Sequence, residues 1–340
     1  MNALLQKHLG NMDQIAGIRL ERLDEGNGAG TRIARVWNAA GLSFSVLPDR
    51  CLDLYDFSYR GVNLAFHSKN GLGAERFFSP QASEFFSYWA GGMLVTSGLD
   101  NVGGAVASDP MNPYPIHGRI CSRAAEHVST DARWEGEDYI LELFGSIRES
   151  RLYGRSLELR RRIRTSLNAS EVTITDTITN LCDAPEPVFL LYHFNFGYPL
   201  LDGTSLFFGP ESETSEYSAV GDDQFRQMHA PVDGLEQQTF CHIPCRKGET
   251  TAGLYHPALG LAAYLRYDSA ALPYLLEWKC LKSHDYVLAI EPANCPARDR
   301  ESDLCGNRAF LLDAYQSVTY QVTLGVAEGA AARQLYQKHQ

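Results

Sequence analysis

Strict alternation of apolar and polar residues constrains the fold of this chain more than any other feature of its sequence. In residues 171–179, valine and isoleucine alternate with threonine as far as Asp176. In residues 41–47, leucine, phenylalanine and valine alternate with serine. Successive side chains of a β-strand point to opposite faces of the sheet, so this period of two predicts strands that are buried on one face. We therefore expect half-buried antiparallel strands in both segments.

Strand-like patterns recur along the chain and make β-structure the dominant prediction. Residues 157–167 are separated from strand 171–179 by Asn168, Ala169 and Ser170, which predicts a hairpin. The other predicted strands are 32–37, 52–58, 138–147, 187–193, 260–267, 273–279, 285–291 and 317–325.

Helical signals are few. Ser79 and Pro80 favour a helix start, with serine as the N-cap and proline at the first helical position. Phe85 and Trp89 follow at helical spacing, and we interpret these aromatic side chains as core packing. A second helix is predicted at 330–338, after Gly329.

Many strands with few helices predict a mainly β fold, a large antiparallel β-sandwich with a few short helices. The 340 residues contain no linker and no low-complexity tract. Large β-sandwiches often exceed the usual domain length. We therefore expect a single domain over residues 1–340, with its core at about 30–325.

The charge balance limits the classes of partner. A net charge of −11 argues against nonspecific nucleic-acid binding, which requires a basic surface. The basic run at 160–164 is interpreted as a solvated strand face. The first 20 residues lack a signal-peptide pattern, and no run of 18 apolar residues occurs. The expected location is the cytoplasm, with no membrane partner.

The eight cysteines are scattered and contain no Cys-x-x-Cys pair. This pattern is typical of buried thiols in a reducing compartment. Cys241 and Cys245 flank His242, so a metal site there stays open as an alternative. The prediction is nevertheless that the protein uses no metal and no cofactor.

Two ionisable residues follow apolar, strand-like runs. His193 comes after 188–191, and Glu291 comes after 286–290. A buried imidazole or carboxylate is costly unless it is paired or used in chemistry. These two residues are therefore candidates for an acid and a base acting on one small molecule.

A long loop is predicted at 97–119, where glycine, asparagine, aspartate and proline are frequent. Long loops inside compact domains are often functional. His117 closes this loop, and Gly118 permits a tight turn or a close approach to a ligand. A structural role for His117, satisfied by a nearby carbonyl, is an equal alternative. Arg119 is a ligand contact or a surface charge.

Two further segments carry candidate binding residues. Arg50 follows Asp49 after a predicted strand and either holds sugar hydroxyls or forms a local pair with Asp49. Trp278 lies between Glu277 and Lys279 on a predicted strand and therefore faces away from both. An aromatic beside polar groups suits a sugar, and the alternative is a core tryptophan with outward charges.

Several short phrases of the chain together resemble a known family. The chain is similar to the aldose 1-epimerase (mutarotase) superfamily, with its galactose mutarotase-like β-supersandwich. The similarity is greater to a branch of uncharacterised aldose 1-epimerase-like proteins, a domain of unknown function. The phrases run in family order over about 30–325, and they are residues 98–103, 116–119, 192–197, 278–279 and 291–294.

The resemblance implies roles for individual residues. His193 would be the general acid, Glu291 the general base and His117 a sugar-binding residue. Arg50 would correspond to the sugar-binding arginine, whereas the aspartate that the family uses for sugar hydroxyls has no secure match here. The residues after His193 also depart from the family motif.

Further substrate contacts are expected from four residues in these phrases or next to them: Arg119, Asn195, Trp278 and Lys279.

The implied reaction is the interconversion of sugar anomers by acid–base ring opening. The expected partner is a small-molecule sugar or sugar derivative, with a homodimer as a possible assembly. Two alternatives stay open at this point. One is an epimerase or isomerase that acts at the carbon next to the carbonyl, and the other is a carbohydrate-binding protein without catalysis.

Overall fold

The fold was analysed in a computed structural model, which describes residues 3–79, 82–107, 113–217 and 224–340. Twenty strands are found in this part of the chain. In chain order they are β1 Gly17–Arg22, β2 Arg32–Trp37, β3 Leu42–Leu47, β4 Asp53–Tyr59, β5 Val62–Asn63, β6 Leu94–Leu99, β7 Glu126–Glu135, β8 Asp138–Ser150, β9 Ser156–Ser166, β10 Glu171–Asn180, β11 Glu186–Phe196, β12 Leu206–Phe208, β13 Ser212–Glu216, β14 Gln238–Pro244, β15 Glu249–His256, β16 Leu261–Asp268, β17 Tyr274–Lys282, β18 Asp285–Ala293, β19 Phe310–Leu312 and β20 Ser317–Glu328.

Helices in the described residues are short. The α-helices are α1 Ala3–His8, α2 Ala82–Tyr88, α3 Arg300–Cys305 and α4 Gly329–His339. Single 3₁₀ turns lie at Met12–Gln14, Gly26–Gly28, Glu75–Phe77, Ile120–Ser122 and Gln224–Arg226.

The strands form antiparallel sheets of five, eight and seven strands. The five-stranded sheet is a meander in the order β1-β2-β3-β4-β5. The eight-stranded sheet has the order β12-β15-β16-β20-β10-β9-β8-β7. The seven-stranded sheet has the order β13-β14-β17-β18-β11-β19, and β6 pairs with β11 at a branch. A large apolar core unites side chains from all three sheets.

The predicted mainly β, antiparallel fold is confirmed, and so are all the strands predicted from alternation. The hairpin of β9 and β10 forms with Ile174 opposite Ile163. Along β10 every second residue is buried, as the period of two requires. The predicted C-terminal helix is α4. A helix also forms at α2, whereas Pro80 of the predicted start lies outside the described residues.

The interpretation of 160–164 as a solvated strand face is wrong for Arg161. Arg160 is exposed, but the guanidinium of Arg161 is fully buried. It donates two hydrogen bonds to Asp176, at 2.8 and 2.6 Å, and one to Asp53 at 2.8 Å. The hydroxyl of Tyr192 also donates to Asp176 at 2.8 Å. Asp176 interrupts the apolar alternation of β10 because it is the buried partner of Arg161.

This buried ionic cluster joins strands of all three sheets. Asp53 lies on β4, Arg161 on β9 and Tyr192 on β11. Burial raises the pKa of Asp53 to about 6, although the charge of Arg161 opposes that rise. Tyr192 precedes His193 in the sequence, so the cluster also fixes the backbone of the strand that carries His193.

Candidate functional site

His193 and Glu291 occupy facing positions on neighbouring antiparallel strands. In the pairing of β11 with β18, Leu191 lies opposite Ala293 and Phe194 lies opposite Ile290. The same register places His193 opposite Glu291. Both residues lie within their strands rather than at the ends, because β11 continues to Phe196 and β18 to Ala293.

The two side chains meet in a buried environment. His193 Nε2 lies 3.1 Å from Glu291 Oε1, and both side chains are less than one-tenth exposed. Burial, and after it the neighbouring His117, lowers the pKa of His193 to about 3. Burial raises the pKa of Glu291 to about 8. At neutral pH the pair therefore holds a single proton, which is what one acid and one base require.

The pair is close but incompletely satisfied. The contact between Nε2 and Oε1 is misaligned, so Glu291 Oε1 forms no hydrogen bond within the described residues. His193 Nδ1 is also buried without a hydrogen-bond partner in that part of the chain. Buried polar atoms are normally paired, and exceptions concentrate at functional sites. These two atoms are therefore candidates for hydrogen bonds that form only in a functional complex.

His117 faces His193 across the site. Their ring centroids are 5.5 Å apart, with the rings edge to face. Burial lowers the pKa of His117 to about 4, so its imidazole is neutral at pH 7. The N–H of Gly103 approaches His117 Nδ1 at 3.5 Å, which assigns the ring proton to Nε2. His117 is thereby suited to donate a hydrogen bond to a neutral hydroxyl or ring oxygen.

The predicted loop at 97–119 begins inside β6 and is closed by backbone pairing at its end. His117 has a φ of 56°, and the following Gly118 has a φ of 74°. A Cβ on Gly118 would lie 2.2 Å from the carbonyl oxygen of Gly98. The glycine predicted to permit a close approach is thus required by this turn, which holds His117 in place.

Aromatic rings form the walls around the pair. The His193 ring lies 5.6 Å from Trp278 and 5.7 Å from Trp89, measured between centroids. Phe85 lies 5.8 Å from the ring of His117. The interpretation of Phe85 and Trp89 as core packing is confirmed only in part, because Trp89 packs against a small buried cluster while both side chains also line the site. Helical spacing could not distinguish a face on the core from a face on a cleft.

Trp278, His117, His193 and Glu291 all line one cleft of about 1250 Å³. The indole N–H of Trp278 donates to the side-chain oxygen of Gln237 at 2.7 Å, which fixes the ring plane. The cleft thus combines a buried histidine–glutamate pair, a neutral imidazole donor and flat apolar surfaces. Such a combination suits a sugar ring, which presents hydroxyl edges and apolar faces.

The two predicted arginines lie away from the cleft. Arg50 donates from Nε to the carbonyl oxygen of Gly73 at 3.0 Å. Asp49 pairs with Arg32 at 2.6 Å, so the local Asp49–Arg50 pair is not formed either. The Arg119 guanidinium donates hydrogen bonds to the Asp100 carboxylate and to the carbonyl oxygen of Pro113. It thereby anchors the loop that carries His117. Both guanidinium groups donate their hydrogen bonds to loop carbonyls or to a loop carboxylate. The sequence does not show these partners.

Asn195 and Lys279 also do not line the cleft. The amide of Asn195 is fully buried and donates to the carbonyls of Gly92 and His193 at 2.9 and 3.0 Å. Lys279 is buried on the opposite face of β17, where its ammonium donates to the carbonyl of Gln227 at 2.7 Å. Asn195 is therefore positioned to support His193, whereas Lys279 belongs to the other side of the sheet.

A second histidine–glutamate pair lies on that other side. His242 Nε2 is 3.0 Å from Glu277 Oε2, and its Nδ1 is 2.8 Å from the hydroxyl of Thr214. The alternative of a metal site at Cys241, His242 and Cys245 is not supported, because Cys245 is exposed and His242 is engaged with Glu277. No cluster of three or more potential metal ligands occurs in the described residues.

Among the described residues, no helix combines the length and the apolar character that a membrane crossing demands.

Comparison with protein families gives one match that covers most of the chain. Residues 28–326 match the model of a domain of unknown function (DUF4432). A comparison with curated proteins found no match.

Solved structures with the same fold include three informative neighbours. A "putative aldose 1-epimerase" from Klebsiella pneumoniae has a TM-score of 0.88 at 21% identity, over 96% of this chain and 89% of that chain. A galactose mutarotase-like protein from Clostridium acetobutylicum has a TM-score of 0.64 at 16% identity, over 93% and 99%. Galactose 1-epimerase from Lactobacillus acidophilus has a TM-score of 0.57 at 13% identity, over 92% and 99%. These similarities show a galactose mutarotase-like fold.

Proposed function

The chain belongs to the DUF4432 family, and we propose that it is a sugar isomerase of the aldose 1-epimerase type. The single observation that carries this proposal is the contact of His193 with Glu291, buried at the base of an aromatic cleft with unpartnered polar atoms. The names of the structural neighbours support the same reaction class.

The reaction requires one proton to leave and one to arrive. The base removes the proton from the anomeric hydroxyl, and the acid protonates the ring oxygen as the bond between that oxygen and the anomeric carbon breaks. Rotation of the free aldehyde and the reverse steps give the other anomer. Both oxygens are attached to the same carbon, so two groups in contact with each other are able to serve both.

Glu291 is assigned as the base and His193 as the acid. The shared proton lies on Glu291, because burial raises the pKa of the carboxyl and lowers that of the imidazole. Transfer of this proton to His193 gives the carboxylate and the imidazolium that the assignment requires. His117 donates a hydrogen bond to the sugar, and Trp278 supports its apolar face.

Anomer exchange across a panel of sugars tests the proposal. NMR exchange or polarimetry would be applied to aldoses, sugar acids and sugar phosphates with and without the protein. We expect acceleration over the spontaneous rate for at least one of them. Binding without acceleration would instead support a carbohydrate-binding protein, and incorporation of deuterium from solvent at carbon would support an epimerase acting next to the carbonyl.

The pH dependence of kcat/KM is expected to be bell-shaped. The lower pKa of the pair is that of His193, about 3. Below it both groups are protonated, and no base remains. The upper pKa is that of Glu291, about 8. Above it both groups are deprotonated, and no acid remains. Exchange rates corrected for buffer catalysis should therefore be flat between pH 5 and 7 and fall above about pH 8. A rate that keeps rising through pH 9 would contradict the shared-proton pair.

His117→Ala is expected to weaken sugar binding more than it slows the chemistry. Loss of one hydrogen bond to a neutral group should raise KM by roughly threefold to tenfold, with kcat changed less. The two parameters would be obtained from exchange rates at varied sugar concentration. A fall in kcat of more than about a hundredfold at unchanged KM would instead show that His117 moves a proton.

A further inference from the structure

The cleft is longer than the acid–base pair requires. In the pairing of β17 with β18, Glu291 lies opposite Leu276 at one end and Asp285 lies opposite Lys282 at the other. All four residues line the cleft. Because a strand rises about 3.4 Å per residue, these two ends are roughly 20 Å apart.

The cleft volume agrees with this length. Sites that enclose one small ligand typically measure about 300–1,000 Å³, whereas this cleft measures about 1250 Å³. A single sugar ring held at His193 and Glu291 would therefore leave the outer end unfilled.

The outer end has the chemistry of a second sugar site. Phe86 lines the cleft, and two-thirds of its side chain is exposed. Lys69 and Asp285 form an ion pair of 2.7 Å on the rim, and Lys282 projects from the adjacent strand position. Exposed aromatic rings receive the apolar faces of sugars, and charged groups pair with their hydroxyls.

The two ends are connected by tryptophans. Trp278 and Trp89 lie between the acid–base pair and the rim, with their ring centroids 5.6 Å apart. Apolar surface thus continues from the pair toward Phe86. A chain of linked sugar rings also presents apolar faces and hydroxyl edges along its length, so it matches a cleft lined by aromatic rings and polar side chains.

We infer that the preferred substrate is the reducing end of a disaccharide or longer oligosaccharide. The reducing sugar lies at His193 and Glu291, and the next sugar lies at the outer end against Phe86 and Lys282. This inference rests on the proposed function, since only the reducing sugar has a free anomeric hydroxyl. The bond between the two sugars is neither made nor broken.

Anomer exchange of matched sugars tests the inference. Maltose, cellobiose and lactose would be compared on the intact protein with glucose, which is the reducing sugar of all three. We expect kcat/KM for at least one disaccharide to exceed that for its reducing monosaccharide by about tenfold. This factor corresponds to about 1.4 kcal/mol of binding free energy from the second sugar ring. Equal values for every disaccharide and its monosaccharide would overturn the inference and leave the proposed function standing.

Variants at the outer end make the test independent of sugar choice. Phe86→Ala and Lys282→Ala should each raise KM for the disaccharide by roughly threefold to tenfold and leave the monosaccharide constants unchanged. Tyr153→Ala, at a fully exposed aromatic outside the cleft, is the matched control and should change neither. Equal losses for both sugars would overturn the inference. Absence of exchange for all sugars would instead remove the proposed function and the inference together.

Discussion

Glu291→Gln is expected to lower the rate of anomer exchange by about 10²–10⁴-fold, because it removes the base and leaves the shape of the cleft unchanged. Glutamine has the same size as glutamate but cannot accept a proton at neutral pH. The measurement is kcat/KM by NMR exchange on a sugar that the wild-type protein accelerates. Retention of full activity would contradict the assignment of Glu291 as the base.

The chain provides a matched control for this variant. Glu277 is also fully buried and lies 3.0 Å from a histidine on a neighbouring strand of the same sheet, but on the face away from the cleft. Glu277→Gln should therefore leave the exchange rate within about twofold, since no transition-state contact is lost. An equal loss of activity in both variants would indicate damage to the sheet rather than loss of a base.

The pH dependence of stability should also report the burial of Glu291. The pKa of Glu291 is raised to about 8 from an ordinary value of 4.5, and burial is the cause. A group whose pKa is raised on folding favours the folded state least at high pH, so stability is lost as pH rises from about 4.5 to 8. Glutamine does not titrate, so the Glu291→Gln variant does not lose this stability. The melting temperature of the variant relative to the wild type should therefore rise over that pH range. A variant that becomes less stable than the wild type with rising pH would show a structural ion pair instead.

Arg161→Met is expected to destabilise the fold by about 3–5 kcal/mol, because it leaves two buried carboxylates without their cation. Asp176 and Asp53 both receive hydrogen bonds from the Arg161 guanidinium in the core. Such a loss is a large fraction of the stability of a typical protein. Urea unfolding and melting temperature would measure it.

The neighbouring Arg160 is the matched control for Arg161. It lies next to Arg161 on β9, but its side chain is exposed and pairs with Glu158 at the surface. Arg160→Met should change stability by less than about 0.5 kcal/mol. If the two variants lost equal stability, the buried cluster would not be the element that joins the three sheets.

Period-two alternation predicted the strands because it is a local property of the backbone. Val172, Ile174 and Ile178 are buried on one face of β10, as their spacing requires. The short strands β5, β12 and β19 were missed because two or three residues carry no periodic signal. Strands β7 and β13 were missed because their residues are mostly exposed and polar, so that neither face has an apolar pattern. The strands β1, β6, β14 and β15 were also not predicted.

The sequence singled out two ionisable residues that the structure brings into one cleft, and it misplaced residues whose partners are distant in sequence. His193 and Glu291 were recognisable because an ionisable residue follows an apolar run. Arg50, by contrast, is engaged by Gly73, a partner that its own segment does not reveal. Trp89 was assigned to the core because a helical pattern of aromatic residues is the same whether it covers a core or a cleft.

The sequence by itself determined that this protein is mainly antiparallel β-structure and that a histidine and a glutamate lie on strands with apolar surroundings. Only the tertiary structure decided that they face each other, because the pairing of β11 with β18 joins segments about a hundred residues apart. It also decided which face of each strand lines the cleft. Alternation defines two faces of a strand, but only packing against the other sheets determines which face is buried in the core and which is open to a ligand.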